Sequence, residues 1–169
     1  ALGVRFRGEV IVGAIYDPLG EEMWRGVKGQ RPMFNGKEFQ VSRRAVLAEA
    51  VISVGLSKTS ATIDAGLPLL EQMVHRVRKC RMLGSAALDL AYVACGRLDA
   101  YIEQGISLGD IAAGLPLAER AGGRVEGKPR AGLPERLCRG AADGVRVVAP
   151  YTNEVSRWGG GCESTGDRA

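Results

Sequence analysis

The spacing of apolar residues changes once along this chain, near residue 50, and that change limits the folds open to it. Before it, strand-length apolar runs are separated by tight turns. Leu2 to Phe6 and Glu9 to Tyr16 flank Arg7-Gly8, Glu22 to Lys28 follows, and Asn35-Gly36 parts Met33-Phe34 from Glu38 to Val41. Asn-Gly readily takes the two positive φ angles of a type I′ turn, whose twist matches that of a hairpin. Residues 1–42 therefore read as an antiparallel meander. After residue 50 strands alternate with helices. Ala50 to Gly55, Arg76 to Met82, Leu98 to Glu103 and Val145 to Ala149 have strand character. Thr59 to Val74, the run that begins at Ser85 and stops at Gly96, and Asp110 to Ala121 have helical character. Gly66 and Pro68 weaken the first helix. Pro116 lies inside the last, where its missing N–H costs ~3 kcal/mol unless the helix kinks or starts late.

This alternation predicts a layered α/β (α+β) fold. The 169 residues suffice for one domain burying roughly 70% of its unfolded surface, but not for two. We expect that domain over residues 1–158, with antiparallel strands in 1–42 and alternating strands and helices in 50–150. Residues 126–144, rich in Gly, Pro and Arg, are expected to form a surface connection, and 159–169 a flexible tail.

Composition removes several function classes. No apolar stretch approaches the ~20 residues of a membrane span. Net charge is +4, with 18 Arg against five Lys, which suits anionic partners that Arg grips bidentately. The densest basic run, His75 to Arg81, reads as a solvated strand face with no interleaved aromatics to stack on bases, which argues against nucleic acid. Cys80, Cys95, Cys138 and Cys162 have no close pair of the kind zinc or redox sites use, so buried thiols in a reducing, cytoplasmic compartment are expected. No GxSxG elbow, P-loop or dinucleotide fingerprint occurs. His75 has no second histidine and reads as structural.

Chemistry concentrates in Gly84 to Gly123. Glu103 closes a strand-like run, and Asp110 opens a helix-like one seven residues later. An Asp at that place is a good N-cap, and capping through one oxygen leaves the other for a hard cation. A carboxylate at the carboxyl end of a strand, as at Glu103, can accept hydrogen bonds from ligand hydroxyls, or be an exposed strand-end charge. Gly84-Ser85-Ala86 places tiny side chains before a helix N-terminus, where backbone N–H groups can meet an anion or hydroxyl; a Ser85 that is only the cap is the more common case.

Gly84 to Gly123, together with Gly13-Ala14-Ile15-Tyr16-Asp17-Pro18, Glu22-Met23-Trp24 and Phe34-Asn35-Gly36 through Val41-Ser42, resembles the inositol monophosphatase family of metal-dependent sugar phosphatases. The correspondence runs in order from the first residues to about Ala149. It implies a layered α-β-α-β-α fold and Mg²⁺ held beside a phosphomonoester, an inositol phosphate or related small sugar phosphate. It also implies a homodimer for the full-length relative. By position, Asp110 matches a metal ligand, Glu103 a residue that binds substrate hydroxyls, and Gly84, Ser85 and Ala86 small residues lining the substrate.

The family also uses an upstream Glu-rich helix and an Asp-Pro-Ile/Leu-Asp-Gly-Thr signature, neither of which this sequence contains. Asp17-Pro18-Leu19-Gly20-Glu21 lacks the second Asp and the Thr, and its neighbours place it in a later strand-turn-strand segment. In register, Ala1 falls just after the true signature, so an N-terminally truncated fold is expected. Gly109 stands where the family mostly has Trp. Mg²⁺ binds weakly to a single carboxylate, so the isolated chain is expected to be a poor phosphatase. The alternative is a non-catalytic remnant that binds a polyol or a protein partner.

Overall fold

The computed structural model describes residues 1–56, 59–129 and 142–148. The first sheet is the expected meander: β1 (Leu2–Phe6), β2 (Glu9–Asp17), β3 (Glu22–Val27), β4 (Met33–Phe34) and β5 (Lys37–Glu38), in sequence order and antiparallel throughout. Asn35 and Gly36 have φ of 45° and 81°, as a type I′ turn requires. The last strand is shorter than Glu38 to Val41, because Val41 leaves the sheet and its N–H bonds to the Ala121 carbonyl. Asp17-Pro18 lies at the β2–β3 turn, where the Asp17 side chain accepts from the Leu19 N–H at 3.0 Å. That bond is a local turn contact and gives Asp17 a structural task.

The second sheet has the order β7-β6-β8-β10-β9. Its strands are β6 (Val51–Gly55), β7 (Lys79–Arg81), β8 (Ala100–Gln104), β9 (Arg124–Pro129) and β10 (Ala142–Val148). β6 runs parallel to β7 and β8, whereas β10 is antiparallel to β8 and β9. Residues 126–144 thus depart from the expected connection, since both ends of that stretch are strands. Pairing in the sheet overrides a composition that reads as loop. Residues 130–141 and the expected tail, 159–169, lie outside the described residues.

Helix α1 (Ser60–Val74) runs unbroken through Gly66 and Pro68, with the Thr59 hydroxyl accepting from the Thr62 N–H at its start. α2 (Ala86–Ala94) is capped by Ser85 as expected. The run from Asp110 to Ala121 instead forms two short helices, α3 (Leu108–Ile111) and α4 (Gly114–Arg120). Pro116 therefore sits in the first turn of α4, where its absent N–H would have had no helical acceptor.

Alternation along β8 explains the layering. Tyr101 points into one core with Leu90, Val93 and Ala94 of α2, Leu117 and Ala118 of α4, and Ile15 and Trp24 of the first sheet. Ala100 and Ile102 point to the other face, against Ile52, Val54 and Met73 of α1. The order is sheet, α2 with α4, sheet, α1. Close approach is essential at Gly13, where a Cβ would stand 2.0 Å from the Ala113 carbonyl oxygen. That contact sets the α3–α4 junction on the first sheet.

Candidate functional site

Residues from three strand-to-helix regions meet around one cavity of about 450 Å³. Gly84, Ser85, Ala86, Glu103 and Asp110, all singled out in the sequence, line it together, as do Gly55, Asp89 and Gly109. The parallel pairing of β6 with β8 and the turn into α2 bring these ends to the same side. Sites collect there in sheets with parallel strands, because the chain leaves each strand for a helix over that edge.

Each side chain has a definable setting. Ser85 accepts from the Leu88 N–H at 3.5 Å, leaving the first N–H groups of α2 beside the cavity. Asp110 is not the N-cap. Ser107 is the N-cap of α3, Asp110 is its third helical residue, and the Ser107 hydroxyl donates to Asp110 Oδ2 at 2.6 Å. The main-chain N–H of Asp110 bonds to the Ser107 carbonyl, so a tight turn places the carboxylate one turn later than expected. The bond to Oδ2 orients the group, which is exposed, and leaves Oδ1 for a ligand.

Glu103 is half-buried and accepts a hydrogen bond from the Tyr101 hydroxyl through Oε2. Its carboxylate lies over the backbone of Gly55, its partner in the β6–β8 register. A Cβ at residue 55 would stand 2.0 Å from Oε2. Burial, and then the hydrogen bond to Glu103, hold the Tyr101 hydroxyl well above its ordinary pKa, so it remains a donor.

Asp89 escaped the sequence reading. Although it is the one charged residue of AALDLAYVA, it is only 2% exposed, and its Oδ1 has no hydrogen-bond partner in the protein. Burial pushes its pKa up to about 6; the Ser53 hydroxyl opposes that shift and the Glu103 charge adds to it. A carboxylate among the apolar residues of this helix was the available signal. Gly55 and Tyr101 carried no comparable signal, because each looks like an ordinary strand residue.

Among the described residues no group of three or more His, Cys, Asp or Glu is placed to hold a metal ion. Asp110 fits as one hard oxygen ligand, but the described residues do not amount to a Mg²⁺ site. His75 is exposed at the C-cap of α1 and does not line the cavity. Cys80 and Cys95 are free and half-buried, less enclosed than the buried thiols expected; burial raises the pKa of both. Cys138 and Cys162 lie outside the described residues. No described helix is long and apolar enough to cross a membrane.

Comparison with known proteins agrees with this arrangement. The model of the inositol monophosphatase family matches residues 1–149. The chain is 40% identical to the fructose-1,6-bisphosphatase/inositol-1-monophosphatase of Thermotoga maritima, over 70% of this chain and 44% of that protein. It is 39% identical to the Nus factor SuhB of Xylella fastidiosa, over 70% of this chain and 43% of that protein. The structure of an inositol monophosphatase from Anabaena (Nostoc) superposes with a TM-score of 0.79 at 32% identity, covering 92% of this chain and 60% of that one. The chain spans about half the length of the curated relatives it matches, and it aligns with their C-terminal part. With its layered sheets, its junction residues and an ordered match from residue 1 to 149, the chain belongs to the inositol monophosphatase family.

Proposed function

We propose that this chain carries the substrate side of a phosphomonoester hydrolase site, taking an inositol phosphate or a related small sugar phosphate. The observation that carries the reading is the meeting of Gly84, Ser85, Ala86, Glu103 and Asp110 at one cavity from separate elements. Glu103 accepts hydroxyl hydrogen bonds from the polyol, its free Oε1 facing a ligand while Tyr101 engages Oε2. The small residues at 84–86 let the ligand approach the positive end of α2. Asp110 contributes one oxygen to a Mg²⁺ ion when such an ion is bound.

In this reading Mg²⁺ supplies charge neutralisation for the phosphoryl group and activates water, and it needs more ligands than Asp110. The isolated chain therefore binds a polyol but hydrolyses its phosphate negligibly. Phosphate release from inositol 1-phosphate with Mg²⁺ tests this. Turnover abolished specifically by Asp110→Asn would overturn the expected inactivity, and failure of myo-inositol to bind would overturn the substrate assignment.

A second reading, a non-catalytic remnant that docks on a protein, draws on one observation. Leu2, Val4, Phe6, Tyr16 and Met23 leave exposed apolar surface on the first sheet. Unimpaired polyol binding after Glu103→Gln would favour it over the cavity-based reading.

A further inference from the structure

Asp89 is a buried acid without a sufficient structural reason. Its position in the first turn of α2 favours negative charge, but a charge-helix interaction does not supply the missing donor at Oδ1. An acceptor stripped of water and left unpaired is destabilising, more so when ionised. A residue kept at such a position fits a site better than a core.

We propose that Asp89 is a second hydroxyl acceptor of the cavity, making the site selective for a polyol with two neighbouring hydroxyls. The inference rests on the polyol-binding reading above. Asp89 and Glu103 both line the cavity and feel each other's charge. Glu103 has Oε2 taken by Tyr101, and Asp89 has Oδ1 unpaired. Glu103 thus offers Oε1 directly. Asp89 Oδ1 is unpaired but sealed from water, and a small turn of its side chain toward the cavity it borders brings it to a second hydroxyl. Adjacent hydroxyls on a ring supply two donors a few ångströms apart. A ligand with one hydroxyl satisfies only one carboxylate and leaves the other unpaired, which is the arrangement by which sites reject a ligand lacking a group. Ser53, on the sheet side of Asp89, steadies the carboxylate without pairing Oδ1.

Binding of myo-inositol and of a deoxyinositol lacking one hydroxyl is measured by calorimetry on the full chain, together with thermal unfolding without ligand. Asp89→Asn keeps the shape with a neutral acceptor and should weaken myo-inositol about tenfold; Asp89→Leu should weaken it further and remove the preference over the deoxy compound. Both variants should raise Tm, because each removes an unpaired buried charge. A structural role predicts the reverse, a lower Tm, and that result in both variants would overturn the proposal. So would unchanged affinity in both while Glu103→Gln abolishes binding, an outcome that leaves the polyol reading intact. No binding by the unaltered chain would remove the polyol reading and this inference with it.

Discussion

Gly55 owes its importance to the residue across from it. The Glu103 carboxylate occupies the space that a side chain at residue 55 would take, with Cδ only 2.4 Å from a Cβ built there. Gly55→Ala must therefore move Glu103 or spread β6 from β8, and a shift of about 1 Å in a binding carboxylate costs orders of magnitude. We expect myo-inositol affinity to fall at least tenfold in a chain that still folds, as read by calorimetry alongside circular dichroism. Asp89 makes the other prediction at this scale. Its carboxyl titrates near pH 6 in the folded chain against 3.8 ordinarily, so the folded state holds the proton more tightly. Stability from this group is present below pH 3.8 and is lost as pH rises through 6, by up to about 3 kcal/mol. Asp89→Asn should accordingly exceed the unaltered chain in Tm at pH 7, and the difference should shrink by pH 4. A difference that stays constant across that range would refute the assignment to Asp89.

Two ion pairs join elements that are distant in sequence. Asp99 is fully buried just before β8, accepts from the Val51 N–H at 2.7 Å, and receives the Arg44 guanidinium at 3.0 Å on both oxygens. It ties the segment before β6 to the strand that carries Glu103. Asp99→Ala strands the part-buried Val51 N–H and should cost about 2–3 kcal/mol in denaturant unfolding. Arg44→Ala should cost at least as much, because it leaves the fully buried Asp99 carboxylate without its counter-charge even though the Val51 bond survives. Arg97 does similar work between α2 and the first sheet. It donates to Glu22 at 2.6 Å and lies over the rings of Trp24, Phe34 and Tyr92. A lysine keeps the charge but loses the flat, two-pronged fit, so Arg97→Lys should destabilise by about 1 kcal/mol.

Among the described residues, the first sheet presents an exposed apolar face. Leu2, Val4 and Phe6 alternate along β1, an edge strand, and Tyr16 and Met23 pair beside them; Phe6 is 57% exposed. Exposed apolar surface on a sheet with an open edge favours association. The isolated chain should elute from size exclusion above its 17.9 kDa mass, and Val4→Lys with Tyr16→Glu should move it back. A concentrated monomer before substitution would contradict this. Much of this molecule was written locally. Asn35-Gly36 dictates its own turn through positive φ, Ser85 caps α2 through a contact three residues away, and the small residues at 84–86 announce a close approach. Those features depend on neighbours in the chain, so a sequence displays them. Val145 to Ala149 shows its strand character in sequence, but that of residues 124–129 and 142–144 could not be read that way, because it comes from pairing of β9 with β10 and of β10 with β8. Likewise the break between α3 and α4 accompanies their packing on Gly13, and the value of Gly55 depends on a carboxylate 48 positions later. The sequence by itself determined which residues could bind and which turns they would flank. Tertiary structure alone decided that Asp89 would be buried beside Glu103 with Oδ1 unpaired, because burial and pairing belong to the surroundings a residue acquires on folding.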